Sequence, residues 1–148
     1  VNIIVKVALG ILVAGLVGIQ FFPSEHSEKE AATDQDFSKV YMAPEGITKL
    51  LKTSCYDCHS NQTSYPWYSN VQPFGWVLQS HIEDGKSELN FSTFGNLSSR
   101  MKKLKIKSMI SQIEDGEMPL PSYLYIHREA ELTGKESEEI VTYLGSLK

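Results

Sequence analysis

"TSCYDCHSNQTSYPWY", residues 53–68, holds both cysteines of the chain, Cys55 and Cys58, and places His59 directly after the second. A Cys-x-x-Cys pair has three common chemical uses. A thioredoxin-like dithiol needs a strand before it and a βαβ context. Here "PEGITKLLK", residues 44–52, comes first, with Ile47, Leu50 and Leu51 at helical spacing. A structural zinc site needs two more Cys or His ligands, usually as a second close pair. The chain has no third cysteine, and His26, His81 and His127 stand apart from one another. The third use is covalent haem attachment through Cys-x-x-Cys-His. Two thiols about one helical turn apart can each add to one vinyl group on a haem edge, and the adjoining imidazole then reaches the iron. The spacing predicts one haem c, with Cys55 and Cys58 as the thioether positions and His59 as the proximal iron ligand.

An electron carrier usually fills the second axial position as well. The candidates are Met42, Met101, Met109, Met118, His26, His81 and His127. Met101 and Met109 lie in "LSSRMKKLKIKSMISQIEDG", residues 97–116, where Leu97, Met101, Leu104 and Met109 read as the core face of a helix. Met118 stands in "DGEMPLPSY", residues 115–123, after Gly116 and before Pro119 and Pro121. A thioether is a weak ligand and benefits from a chain already held in place. Met118 is therefore expected as the distal ligand, with His81 as the alternative. His127 reads as a surface residue. His59 is expected to donate its other ring N–H to a backbone carbonyl, one belonging to the aromatic stretch at residues 65–76. That stretch, "YPWYSNVQPFGW", reads either as a haem wall or as plain core packing.

Around this centre the chain divides into three. Residues 1–22, "VNIIVKVALGILVAGLVGIQFF", carry one charge, Lys6, and no acid. The apolar run from Val7 to Phe22 would make a helix of about 24 Å. Counted from Ile3, with Lys6 reaching the headgroups, it approaches the roughly 30 Å of a bilayer core. A cleaved signal peptide is the competing reading, but no A-x-A-like site stands near Phe22. An uncleaved transmembrane signal anchor is expected. Lys6 on its N-terminal side leaves the rest of the chain outside the cytoplasm. Residues 23–43 set five acidic residues against two lysines and read as a flexible linker. Residues 44–148 form the haem domain.

Three blocks together, "CYDCHSNQTSYPWY" (55–68), "HIEDGKSELNFS" (81–92) and "GEMPLPSY" (116–123), resemble the small haem-binding domain family found mainly in Bacteroidetes-type bacteria, a relative of monohaem c-type cytochromes. The resemblance covers roughly residues 44–148. It implies one covalent haem, with Cys55, Cys58 and His59 matching the attachment motif. Met118 matches the Met-Pro segment in which monohaem cytochromes commonly carry the distal ligand.

The remaining pattern is helical, without a convincing run of alternating strand residues. Helices are expected near 44–52, 73–89 (apolar face Phe74, Val77, Leu78) and 97–115. A last one starts at Thr133, with Glu136 completing a capping box and Ile140, Val141, Leu144 and Leu147 facing inward. The expected fold is all-α and cytochrome-c-like, with the last helix crossing the first and one covalent haem inside. A net charge of −4 excludes general nucleic-acid binding. Arg100, Lys102, Lys103, Lys105 and Lys107 form a basic patch that reads as a solvated helix surface or as a dock for an acidic redox partner. The expected function is electron transfer, not catalysis. The protein would be anchored in the inner membrane with its haem domain on the periplasmic side. It would work free on its tether or as a subunit of a larger membrane complex, and its partners would be redox proteins, among them a respiratory membrane complex. The alternative is a haem sensor or peroxidase-like protein with an open distal site.

Overall fold

A computed structural model describes residues 2–147. Eight α-helices and four short 3-10 turns follow one another, and no strand is present among the described residues. α1 (Ile3–Gly18) runs on through a 3-10 turn to Phe21. α2 (Phe37–Val40), α3 (Glu45–Ser54) and α4 (Tyr56–His59) lead to the cysteine segment. α5 (Phe74–Glu88) and α6 (Ser99–Glu114) are the long helices of the domain, followed by α7 (Pro121–Leu124) and α8 (Gly134–Ser146). The start of α8 is set locally. The Thr133 hydroxyl accepts from the Glu136 N–H at 3.3 Å, and the Glu136 carboxylate accepts from the Thr133 N–H at 2.8 Å. Two of the first orphan donors of the helix are thereby satisfied.

α8 packs against both α3 and α6, so the first and last domain helices meet, as expected. The main core lies between them: Ile47 and Leu51 from α3, Ile106 and Met109 from α6, Ile140 and Leu144 from α8. The helical spacing identified the α3 and α8 members. On α6 it was half right: Met109 is buried and Leu97 packs on the core, but Met101 and Leu104 are exposed and Ile106 is buried instead. α5 departs in the same way. Leu78 and Ile82 face inward, and Phe74 and Val77 face out. A helix with large apolar residues on several faces leaves its inward side undetermined until its neighbours are fixed.

The expected flexible linker at 23–43 is corrected by its second half. Phe37 is fully buried and sits edge-on to Phe91 and Phe94, with ring centroids 5.4 and 5.0 Å away. Asp36 is also fully buried. Its carboxylate accepts from the Ser38 N–H (2.9 Å) and hydroxyl (2.6 Å), the Tyr56 hydroxyl (2.8 Å) and the Gln62 amide (2.9 Å). A buried carboxylate is tolerated where its lone pairs are filled in this way. Burial, and then the bond to Asp36, push the Tyr56 phenol above its ordinary range. Upstream, the Glu30 N–H donates to the Asn61 carbonyl at 2.9 Å, so the first half also follows the domain surface. The polar composition of this segment hid a single anchoring phenylalanine whose partners come from more than fifty residues away.

Phe37→Ala should cost about 3–5 kcal/mol of stability, the range for deleting a buried phenylalanine side chain. Urea unfolding of the full chain measures it; a cost near zero would return this segment to the role of a linker.

Candidate haem site

Cys55 closes α3 and opens α4, its N–H donating to the Leu51 carbonyl (2.9 Å) and its carbonyl accepting from the His59 N–H (3.0 Å). That turn puts Cys55 and His59, four residues apart, on one face. Both line a cavity of about 320 Å³. Leu89 and Phe91, Met109 and Ile113 of α6, and Met118 with Pro119 line it as well. The expected attachment residue Cys58 is not among the lining residues. Three residues on from Cys55, it is turned by about 60° around the helix axis. It packs instead toward a second small core of Tyr68, Leu78 and Ile82. No disulfide joins the two cysteines.

His59 is aimed by α5. Its Nδ1–H donates to the Gly85 carbonyl at 2.9 Å, with the Leu89 carbonyl at 3.1 Å. Both acceptors belong to the C-terminal end of α5, the negative end of the helix dipole, and the Gly85 carbonyl also accepts from the Leu89 N–H at 2.9 Å. A carbonyl in the aromatic stretch 65–76 was expected; the acceptors lie further along the chain. With Nδ1 occupied, Nε2 is the nitrogen left to act as a ligand, and donation at Nδ1 makes it more basic. Gly85 has a second task. A Cβ built there would lie 2.7 Å from the Cys58 carbonyl oxygen, so glycine is what lets α5 approach the cysteine turn.

Met118 reaches the cavity through the way α6 ends. Gly116 adopts φ +69°, the left-handed region that glycine enters without a Cβ clash. The Gly116 N–H donates to the Ile113 carbonyl (3.2 Å) and the Glu117 N–H to that of Gln112 (3.0 Å). This paired closure reverses the chain. The Met118 N–H then also bonds Gln112, at 3.1 Å. The other candidates fall elsewhere. Met42 and Met101 are exposed. His26 stacks on Tyr65. His81 is absent from the cavity lining, whereas Met109 lines it from within the main core.

The surroundings of the thiols bear on the other uses of a Cys-x-x-Cys pair. Burial, and then its neighbour Cys58, raise the Cys55 thiol to about 12. Burial, and then Asp57, raise Cys58 to about 11. A redox dithiol depends on a depressed thiol pKa, and here both move the other way. No three of His, Cys, Asp and Glu gather as a metal site among the described residues. What the cavity offers is an oriented imidazole, a thioether on a fixed loop and a thiol, within largely apolar walls. That donor set fits a haem.

Sequence reasoning missed a cluster beside Cys58. The Tyr68 hydroxyl donates to His127 Nε2 at 2.7 Å, and His127 Nδ1 pairs with Glu129 at 3.1 Å. His127 stacks on Tyr123, whose hydroxyl donates to Asp57 at 3.2 Å. Burial, and then Asp57, raise the Tyr123 phenol above its usual range. His127 is thus a packed, doubly bonded residue and not the surface histidine expected. The basic patch is partly engaged as well, Lys105 lining the cavity and lying 3.5 Å from Glu88.

Gly85→Ala should destabilise the domain by about 1–3 kcal/mol, as overpacking against rigid neighbours does, and lower the fraction of protein that retains haem. Urea unfolding and the haem-to-protein absorbance ratio report the two effects; unchanged values would show that α4 and α5 are not in this contact.

Similarity to known proteins agrees with the geometry. A family model described as a haem-binding domain matches residues 14–146. No curated protein and no solved structure matches the chain. The family match runs from inside α1 to the end of α8 and takes in the cysteine turn, the cavity and the Met118 loop; the chain belongs to the haem-binding domain family.

Proposed function

We propose that this protein is a monohaem c-type cytochrome, anchored in the inner membrane by α1, that carries electrons between redox partners on the periplasmic side and is not itself an enzyme. The observation that carries the reading is one cavity lined by Cys55, His59 and Met118, with His59 already oriented by the end of α5. When bound, haem supplies one-electron exchange between ferric and ferrous iron. His59 would hold the iron through Nε2 and Met118 through its sulfur, while Cys55 and Cys58 would form thioethers to the porphyrin. Joining Cys58 requires its side chain to turn from the Tyr68 side toward the cavity. Leu89, Phe91 and Ile113 give the cavity apolar walls, and Lys105 at the wall can pair with a carboxylate group. A rigid thioether loop and a fixed imidazole change little between oxidation states, which suits transfer over catalysis. Met ligation also raises the potential relative to two histidines.

α1 with its extension, Ile3–Phe21, supports the anchor. It spans 19 residues at mean hydropathy 2.3, and none of it is buried inside the protein. A helix apolar on every face is a buried core helix, a membrane span or a signal sequence; this one is not buried, which leaves the last two, and we read it as the span. Its length is about 28 Å, close to a bilayer core of about 30 Å. The donor and acceptor would be proteins reaching the same membrane face, a respiratory complex among them, with the unpaired lysines of α6 available for an acidic surface.

The intact mass of native protein should exceed that of the polypeptide by one haem, and the excess should vanish in Cys55→Ala/Cys58→Ala. A native mass equal to the bare chain would sink the covalent reading. Met118→Ala should lose the weak red-edge absorption of sulfur–iron ligation in the oxidised protein and bind carbon monoxide rapidly. Its potential should fall by a sizeable part of the roughly 0.8 V that axial ligation spans. Rapid carbon monoxide binding by the unsubstituted protein would instead point to an open-site sensor or peroxidase.

A further inference from the structure

The aromatic stretch read as haem wall or core is neither throughout. Tyr68 is buried, but Trp67 is 79% exposed, Phe74 59% and Val77 55%, and Trp76 is also open to solvent. These residues belong to one neighbourhood, since the 3-10 turn Trp67–Asn70 packs on α5. Residues 60–80 carry no Asp, Glu, Lys or Arg, although such residues make up 22% of the chain. An exposed, uncharged and aromatic surface of this kind marks contact with something less polar than water.

Its position identifies the contact. The end of the apolar N-terminal helix is hydrogen-bonded to this same surface. The Gln20 side-chain amide donates to the Gln72 carbonyl and accepts from the Gln72 N–H, both at 3.0 Å. The Trp76 indole N–H donates to the Phe22 carbonyl at 2.9 Å, and the Ser24 hydroxyl to the Ser69 carbonyl at 2.8 Å. No slack remains between helix and domain. If the helix ends in the headgroup layer, Gln72 lies there too. Phe74 and Val77 are within about one helical turn, 5.4 Å, of each other along α5. Each headgroup layer is about 5–7 Å thick, the difference between core and full bilayer shared over two faces. Phe74 and Val77 can therefore lie together within that layer, where tryptophan and other amphipathic aromatics concentrate.

We propose that the face formed by Phe22, Trp67, Phe74, Trp76 and Val77 rests in the headgroup layer of the membrane that α1 crosses, so that the haem domain is docked on the bilayer and does not swing on a tether. The proposal rests on the reading of α1 as a membrane span. The attraction is interfacial and not ionic. The patch has no cation, and of the charged residues that follow, Glu30 accepts from Asn61 and Lys29 donates to Ser64. Contact should therefore persist on neutral lipid and in high salt.

The test is photolabelling of the full-length haem-loaded protein in phosphatidylcholine vesicles that contain a carbene-generating phosphatidylcholine, followed by peptide mass mapping. The expected result is lipid adducts on residues 67–77 as well as 3–22, unchanged at high salt and absent from 99–114. In Phe74→Glu/Val77→Glu, whose altered side chains are exposed and whose haem absorbance should not change, the 67–77 adducts should be lost and the 3–22 adducts kept. Adducts confined to 3–22 in the unsubstituted protein would overturn the docking while leaving the anchor intact; this is also the result if a partner protein or a second copy covers the face. Adducts on neither segment would overturn the span and the docking together.

Discussion

The site depends on the contact between the cysteine turn and the end of α5. Gly85 brings two backbones together where any side chain would collide with the Cys58 carbonyl oxygen. The same approach places the Gly85 and Leu89 carbonyls within reach of the His59 ring. One close contact thus fixes the tautomer, direction and basicity of the imidazole. The thioether is fixed by a different device, the reversal at Gly116, so each side of the cavity has its own rigid support. The proposed electron exchange would need little rearrangement with these side chains already in place.

Polar groups in the interior are accounted for in the same economical way. Asp36, fully buried, is surrounded by neutral donors from α2, α4 and the loop that follows. Tyr56, which donates to it, also stacks on Phe91 with ring centroids 4.8 Å apart. Phe91 in turn lines the haem cavity. The segment before α3 therefore belongs to the shell of the site: it secures Tyr56, Tyr56 supports Phe91, and Phe91 forms a wall. On the other side of the cysteine turn, the Tyr68, His127 and Tyr123 cluster performs a similar service for Cys58, with every polar tip bonded.

These connections change the picture of how the domain relates to its N-terminal helix. An acidic stretch of about twenty residues would, if free, span about 25 Å, and the domain would explore a wide volume above the membrane. Instead, bonds begin at Gln20 and continue through Ser24, Glu30 and Phe37. Helix and domain are joined as one body, and under the proposed docking the faces left for the proposed redox partners are those away from residues 67–77.

Much was legible in the sequence because it is encoded locally. The Cys-x-x-Cys-His spacing placed a thiol and the imidazole on one face of one turn. The Thr133 and Glu136 pair started α8, Gly116 stopped α6, and the N-terminal run of apolar residues announced its helix. These features depend on a few consecutive residues and on backbone geometry. What tertiary structure decided was everything that needs a partner from afar. The acceptor for His59 was found at Gly85 and Leu89, the inner stripes of α5 and α6 kept Leu78 and Met109 but exchanged their other members, and Phe37 was drawn into the core. Cys58 and His127 were turned toward a cluster assembled from distant segments. Local pattern states which residues can share a face; which face is buried is set by the neighbours that compete to cover it, and in this chain those neighbours lie tens of residues away.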